Sequence, residues 1–185
     1  MALSMLLALS LLAALAPAQS TEFFIIRGEN MYPRLKINQR VEFDMAAYTV
    51  QSSQVGDIVI LHPPVGAMKG RCGETPKPGQ ACAKPFGGAD TALRFVDRIV
   101  ALGGDRISFR RGRVVRNGKL ETRKNIRRCR IHDACQFPRT ITVPDGHVYV
   151  AGDNRPSSDD SRFWGAVPVA QVHGRYVRIA GTCGC

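Results

Sequence analysis

Three short stretches of the sequence concentrate side chains that can carry chemistry. They read GENMYPRL (28–35), RFVDRIVALGGD (94–105) and GDNRPSSDDSRFWG (152–165). The third is the most specific, because acidic, amide, guanidinium and hydroxyl side chains recur at close spacing between two glycines. A polar hairpin with self-contained Asx turns is the structural alternative for that stretch alone. Taken together, the three stretches indicate one site assembled from distant parts of the chain.

In this order, the stretches resemble the signature boxes of type I signal peptidases, the membrane-anchored serine proteases that remove leader peptides from exported proteins. The first is similar to a box of Ser, Met, any residue, Pro, a small polar residue and Leu. The second resembles a box with Lys-Arg before an apolar run and Gly-Asp, and the third matches its box almost letter for letter. The resemblance spans roughly residues 23–179. It implies a mainly β, signal-peptidase-like fold.

The two positions that carry the reaction in that family are substituted here, so the chain resembles a divergent member. The resemblance implies that a Ser attacks the substrate carbonyl and that a buried, neutral Lys accepts its proton. These positions fall on Asn30 and Asp97. A carboxamide has no ionisable proton and cannot form the acyl ester. Asn30 can instead donate its amide hydrogens to Asp97, and Arg98 or Arg162 can supply balancing charge to the buried carboxylate.

The resemblance gives the other box residues supporting roles. Ser158 matches the Ser that hydrogen-bonds the catalytic Lys, and Asp160 and Arg162 match an ion pair that braces the loop. An architectural role is favoured, since a brace can persist without the chemistry it once supported. The predicted supporting set is Met31, Pro33, Arg98, Gly152, Asp153, Asn154, Ser158, Asp160 and Arg162.

A β-sheet must position these stretches, because the rest of the chain reads as short β-branched and aromatic runs broken by Gly, Pro and Asp. No run shows a sustained helical period. Segments 63–90 and 120–138 interrupt the pattern as loop-rich, cysteine-containing insertions. We therefore expect one β domain over 21–185. The predicted strands are 22–27, 39–43, 57–62, 92–102, 106–110, 113–117, 147–152 and 172–179.

The six cysteines favour local disulfides over a metal site, because they do not form the paired CxxC spacing of a zinc ribbon. The four histidines show no metal-ligand spacing either, so we expect no metal and no other cofactor. Nearest-neighbour pairing is preferred among the alternatives, and the last two cysteines can equally remain thiols or pair elsewhere. The disulfide candidates are Cys72, Cys82, Cys129, Cys135, Cys183 and Cys185.

Residues 1–20 predict export, as a signal peptide or as an N-terminal apolar anchor helix. Residues 2–18 carry no charge, and a helix of that length reaches about 25 Å, short of the ~30 Å hydrocarbon core. Ala16 and Ala18 flank Pro17, which favours cleavage after Ala18. A buried helix of a cytosolic protein is the alternative. Export places the domain on the periplasmic or extracytoplasmic side, membrane-anchored or secreted.

The net charge of +11 is concentrated in residues 110–130, where ten Lys and Arg residues face one acid, Glu121. A solvated basic face and an anionic membrane surface both fit this pattern. Nucleic acid is disfavoured as a partner, because no aromatic residues interleave with the arginines.

The favoured interpretation is a catalytically inactive homologue that binds an exported preprotein or leader peptide in the old cleft, by strand addition to a sheet edge. An active leader peptidase that uses unidentified or displaced groups is the first rival. A basic, disulfide-stabilised surface protein that binds anionic lipid is the second.

Overall fold

The computed structural model describes residues 20–50, 52–130 and 135–184, and it confirms the mainly β fold class. The predicted N-terminal helix and the signal or anchor segment lie outside the described residues, apart from Ser20. Within the described ranges, no helix is both long and apolar enough to cross a membrane.

Eleven strands and two short α-helices make up the described part of the chain. The helices are α1 (Ala47–Val50) and α2 (Ser161–Trp164), and single 3-10 turns lie at Ala67–Lys69, Arg155–Ser157 and Val169–Gln171. The strands are β1 (Thr21–Ile25), β2 (Gln39–Asp44), β3 (Ile58–Leu61), β4 (Phe95–Leu102), β5 (Arg106–Arg110), β6 (Arg113–Arg116), β7 (Lys119–Leu120), β8 (Phe137–Thr142), β9 (His147–Ala151), β10 (Val167–Pro168) and β11 (Val172–Thr182).

The strands form two antiparallel sheets. The larger sheet has the order β1-β2-β11-β3-β4-β9-β10, and the smaller has the order β7-β6-β5-β8. Every strand predicted from the sequence coincides with an observed one, whereas β7, β8 and β10 were not predicted. β8 begins inside the predicted second insertion and buries only Ile141, so its sequence lacks the alternation by which a half-buried strand is recognised.

The central strands of the larger sheet are covered on both faces. Ile58 and Ile60 of β3 pack into the cluster beneath β1 and β2. Val59 and Leu61 point the other way, into a cluster that contains Trp164. Successive side chains of a strand point to opposite faces, so this arrangement explains why β3 is a continuous apolar run.

A third apolar cluster joins the two sheets into one unit. Ile107 and Phe109 of β5 pack in it with Ala101 of β4 and Tyr149 of β9. The Tyr149 hydroxyl also donates to the carbonyl of Cys82 at 2.8 Å. The second half of β4 therefore contributes to the apolar interface between the large sheet and the small one.

Both cysteine-containing insertions close on the third box. Disulfides join Cys72 to Cys82 and Cys129 to Cys135, as the nearest-neighbour preference predicts. Cys183 is also disulfide-bonded, whereas Cys185 lies outside the described residues. The first insertion bonds to α2 through Cys82 N–H and the Arg162 carbonyl, at 2.9 Å.

Removal of the first disulfide tests how much the closed insertion stabilises the fold. We expect the double variant Cys72→Ala, Cys82→Ala to lose about 3 kcal/mol of unfolding free energy, because a cross-link across a loop of roughly ten residues restricts the unfolded chain. Urea unfolding of oxidised wild type and variant measures the difference. Equal midpoints and slopes would show that the cross-link contributes no stability.

Candidate functional site

Asn30 and Asp97 meet at the point where the segment after β1 crosses β4. The Asn30 Nδ2 donates to Asp97 Oδ1 at 3.0 Å and to the backbone carbonyl of Val96 at 2.6 Å. The hydrogen bond predicted between the two substituted positions is therefore present. Both amide hydrogens of Asn30 have acceptors, and the side chain is held in one orientation.

Two buried apolar side chains and hydrogen bonds from the third box hold the first box in place. Met31 and Leu35 are fully buried, while Pro33 lies on the exposed turn between them. Asn154 binds the turn twice: its N–H donates to the Asn30 carbonyl at 2.8 Å, and its Nδ2 donates to the Glu29 carbonyl at 3.0 Å. The backbone at position 30 is therefore held independently of its side chain.

Asp97 is a buried carboxyl group that forms no ion pair with any residue that the structure describes. Its side chain is fully buried, and Oδ2 has no hydrogen-bond partner among the described residues. Desolvation raises its pKa well above the ordinary value, and the negative charge of Asp160 raises it further. The hydrogen bond from Asn30 and the charge of Arg162 oppose this shift without cancelling it. The pocket therefore favours the neutral, protonated acid.

The two arginines that the sequence offered as partners for Asp97 bond to other carboxylates. Arg98 donates to both oxygens of Asp153, at 2.7 and 2.5 Å. Arg162 donates to both oxygens of Asp160, at 2.7 and 2.8 Å. All four side chains are nearly or completely buried. These bidentate pairs use the planar fork of the guanidinium. The first attaches the third box to β4, and the second braces α2 within the box.

Ser158 and Gly152 pack tightly against the first box. The Gly152 N–H donates to Ser158 Oγ at 3.2 Å and to Asp160 Oδ2 at 3.0 Å. A Cβ at position 152 would collide with the Asn30 carbonyl and with the Ser158 side chain. Glycine is required here by this close approach of the backbone.

Arg155 is a supporting residue that the sequence reasoning missed. It is almost completely buried, and it donates to the carbonyls of Gly152 and Gly112. It also forms an ion pair with Glu121 at 2.9 Å. The available signal was its position as the first of two arginines in the third box, but its partner Glu121 lies in the second insertion and no local spacing reveals the pair.

An open groove of about 560 Å³ lies beside Asn30. It runs between β1 and the start of β4, and we call it the groove. The guanidinium of Arg94 closes one side, because it lies 5.5 Å from the ring centre of Phe24 and 3.9 Å from the carboxylate of Glu22. Apolar side chains dominate the lining: Phe24, Ile26, Ile60, Met68, Phe95 and Val96.

Backbone edges remain open along the groove. β1 is the outermost strand of the larger sheet, where β2 is its neighbour. β4 pairs with β9 from Arg98 onward, so among the described strands the preceding residues Phe95 and Val96 pair with β3 alone. The Val96 carbonyl also accepts a hydrogen bond from Asn30. An unpaired strand edge offers N–H and C=O groups to an added strand.

Comparison with known proteins places these features in one family. The family described as signal peptidase, peptidase S26, matches residues 1–180. The chain is 29% identical over 89% of its length to the probable signal peptidase I-1 of Synechocystis and covers 76% of that protein. It is 30% identical over 95% of its length to the signal peptidase I of Leptolyngbya laminosa and covers 73% of it. A crystal structure of a signal peptidase I from Enterococcus faecalis aligns with 69% of this chain and 98% of its own, at 24% identity and a TM-score of 0.46.

The raised pKa of Asp97 predicts a pH dependence of stability with a definite sign. The unfolded chain loses this proton near pH 4, whereas the folded chain retains it to a higher pH, so the contribution of Asp97 to stability is full below pH ~4 and is lost as pH rises through the folded value. We expect Asp97→Asn to flatten that decline, because the amide stays neutral and keeps an oxygen for Asn30. Urea unfolding at several values between pH 4 and pH 8 measures the slope.

Asp145→Asn is the matched control, since Asp145 is exposed on a turn. This variant should leave the slope of unfolding free energy against pH as it is in the wild type. An unchanged slope in Asp97→Asn would contradict the assignment of a protonated acid at that position.

Proposed function

The chain belongs to the signal peptidase family, peptidase S26, and from this premise we propose that it is a non-catalytic member of the protein-export pathway that binds an extended exported polypeptide or leader segment in the groove. The observation that carries the proposal is the hydrogen bond from Asn30 to Asp97 at 3.0 Å. The two positions that match the family's dyad thus hold an amide and an acid that bond to each other.

The chemistry of these two groups supports the absence of cleavage. An amide nitrogen has a delocalised lone pair and no proton that a carboxylate can remove at neutral pH, so Asn30 is not a substitute for an attacking hydroxyl. Asp97 favours its protonated form, which is the wrong state for a general base. The rival of an active peptidase therefore requires a nucleophile elsewhere along the groove.

The intact groove supports binding. An extended peptide can form main-chain hydrogen bonds with the open edges of β1 and of Phe95–Val96, while its alternate side chains enter the apolar lining. The braces of the third box still hold the end of β4 in place through Arg98 and Asp153. The features that position a peptide are thus separate from those that would cut it.

The proposed setting is the extracytoplasmic side of a membrane, where exported preproteins emerge. The disulfides support it, because they persist in oxidising compartments. Whether the N-terminal segment is an anchor or a cleaved signal decides between membrane attachment and secretion. Two relatives from Arabidopsis thaliana, 30% and 28% identical, are described as a thylakoidal processing peptidase and a probable one, and the chain covers 39% and 36% of their lengths.

A second candidate function is association with anionic lipid through the basic segment 110–130. Its support is that Arg110, Lys124 and Arg128 are exposed, while the one acid of the segment, Glu121, pairs with the buried Arg155. Flotation with anionic vesicles should then decrease as salt rises from low to high concentration, because exposed charges are screened. Salt-insensitive flotation would contradict this candidate.

Restoring the dyad tests the proposed loss of catalysis. Wild-type protein incubated with a preprotein should give no shortened product. The double change Asn30→Ser, Asp97→Lys should give cleavage, because it returns a hydroxyl and an amine to positions that the surrounding structure still holds. Cleavage is measured by mass spectrometry of the products.

The single changes Asn30→Ser and Asp97→Lys are the matched controls, and each should remain inactive because each leaves one partner missing. Cleavage by the wild type that survives Asn30→Ala would refute the assignment of this site.

A charge placed in the groove tests the binding proposal. Met68 lines the groove and is 66% exposed. The change Met68→Glu should therefore leave the fold intact while it adds a carboxylate to a mainly apolar lining. We expect the affinity for a fluorescent leader peptide to fall about tenfold, equivalent to ~1.4 kcal/mol. Fluorescence anisotropy measures it.

Val177→Glu is the control, because Val177 is a comparably exposed apolar residue on β11 outside the groove. Its affinity for the peptide should equal that of the wild type. Equal weakening by both changes would show that the peptide does not occupy the groove.

A further inference from the structure

A second pocket, of about 640 Å³, lies where the two sheets meet and shares no lining residue with the groove. Its lining includes the apolar residues Val55, Ile99 and Val114. It also includes the cations Arg98, Arg116, Lys119 and Arg123 and one acid, Glu121. Its volume falls within the range of small-ligand sites. We call it the basic pocket.

The carboxylates near the basic pocket are already committed to other partners. Asp153 takes the charge of Arg98, and Asp105 lies 3.4 Å from Arg116. Glu121 lies 2.9 Å from the completely buried guanidinium of Arg155, and its contact with Arg123 is longer, at 3.8 Å. Positive charge therefore exceeds negative charge among the residues that line the basic pocket.

Arg123 is poorly compensated in the basic pocket, because its ion pair with Glu121 is 3.8 Å long. Its pKa is lowered, first by desolvation and then by the positive charge of Arg98, and the opposing carboxylates do not cancel these effects. Its side chain is 38% exposed, so the guanidinium can still reach a ligand. An anion bound here would offset repulsion that the protein itself leaves in place.

We propose that the basic pocket binds a phosphoryl group carried by a small molecule or a lipid headgroup. A guanidinium presents paired N–H donors that match phosphate oxygens, and Lys119 adds a second, mobile charge at the rim. The apolar lining residues are suited to contact the organic substituent of a phosphate ester rather than the anion itself. This site is independent of the groove, so it can be occupied while the groove holds a polypeptide.

Calorimetric titration at constant ionic strength tests the site with two probes, inorganic phosphate and dihexanoyl phosphatidylglycerol below its micelle concentration. We expect saturable binding by the wild type and about a tenfold loss of affinity in Arg123→Gln, since a charge-assisted hydrogen bond is removed. Lys124→Gln makes the same charge change at the next residue, which is exposed and outside the lining, and it should change the affinity less than about twofold.

The two probes also identify the source of the phosphoryl group. Tighter binding of the lipid than of inorganic phosphate supports the site with a headgroup as its ligand, and the reverse order supports it with a small phosphorylated molecule. Absence of saturable binding for both probes overturns the proposal, as does an equal loss in Lys124→Gln. Lys119→Gln, at an exposed position, decides in the same way if thermal unfolding shows that Arg123→Gln disturbs the fold.

Discussion

Three buried carboxyl groups lie around the first half of β4, and only two guanidinium groups pair with them. The arrangement of the site depends on which carboxyl groups are paired. Asp153 and Asp160 each take a bidentate arginine, at 2.5 to 2.8 Å. Asp97 has neither arginine and instead receives an amide hydrogen from Asn30. Truncation of one partner in such a pair leaves an uncompensated buried charge, which is strongly destabilising. The loop of the third box is therefore fixed by two ion pairs that do not involve the hydrogen bond between Asn30 and Asp97.

The sequence was most informative where the signal is local. The β-branched runs predicted the central strands, because a strand covered on both faces, such as β3, must be apolar throughout. The meeting of Asn30 and Asp97 was also predictable, since two positions joined by chemistry in a family stay adjacent in its fold. The resemblance also gave Asp160 as the partner of Arg162, and the structure contains that ion pair. The partner of Arg98 was not predicted, because this arginine has several acids within reach along the chain and only tertiary geometry selects one. The groove is a property of strands distant in sequence, and no single stretch encodes it.

Arg98 connects two sites that are otherwise separate. On one side it forms the buried pair with Asp153 at the start of the third box. On the other it lines the basic pocket, where its charge contributes to the lowered pKa of Arg123. An anion near Arg123 and the carboxylate of Asp153 thus act on the same cation. The groove and the basic pocket share no lining residue, but β4 contributes residues to both, so both depend on its position.

The two disulfide-closed insertions clasp the third box from opposite ends of its sequence, through Cys82 to Arg162 and through Arg127 to Asp153. Reduction of the two disulfides would remove the cross-links beside these clasps. The loop that lines part of the groove through Ser157 and Asp159 would then lose part of its support. The shape of the groove is thereby tied to the redox state of cysteines that lie outside it.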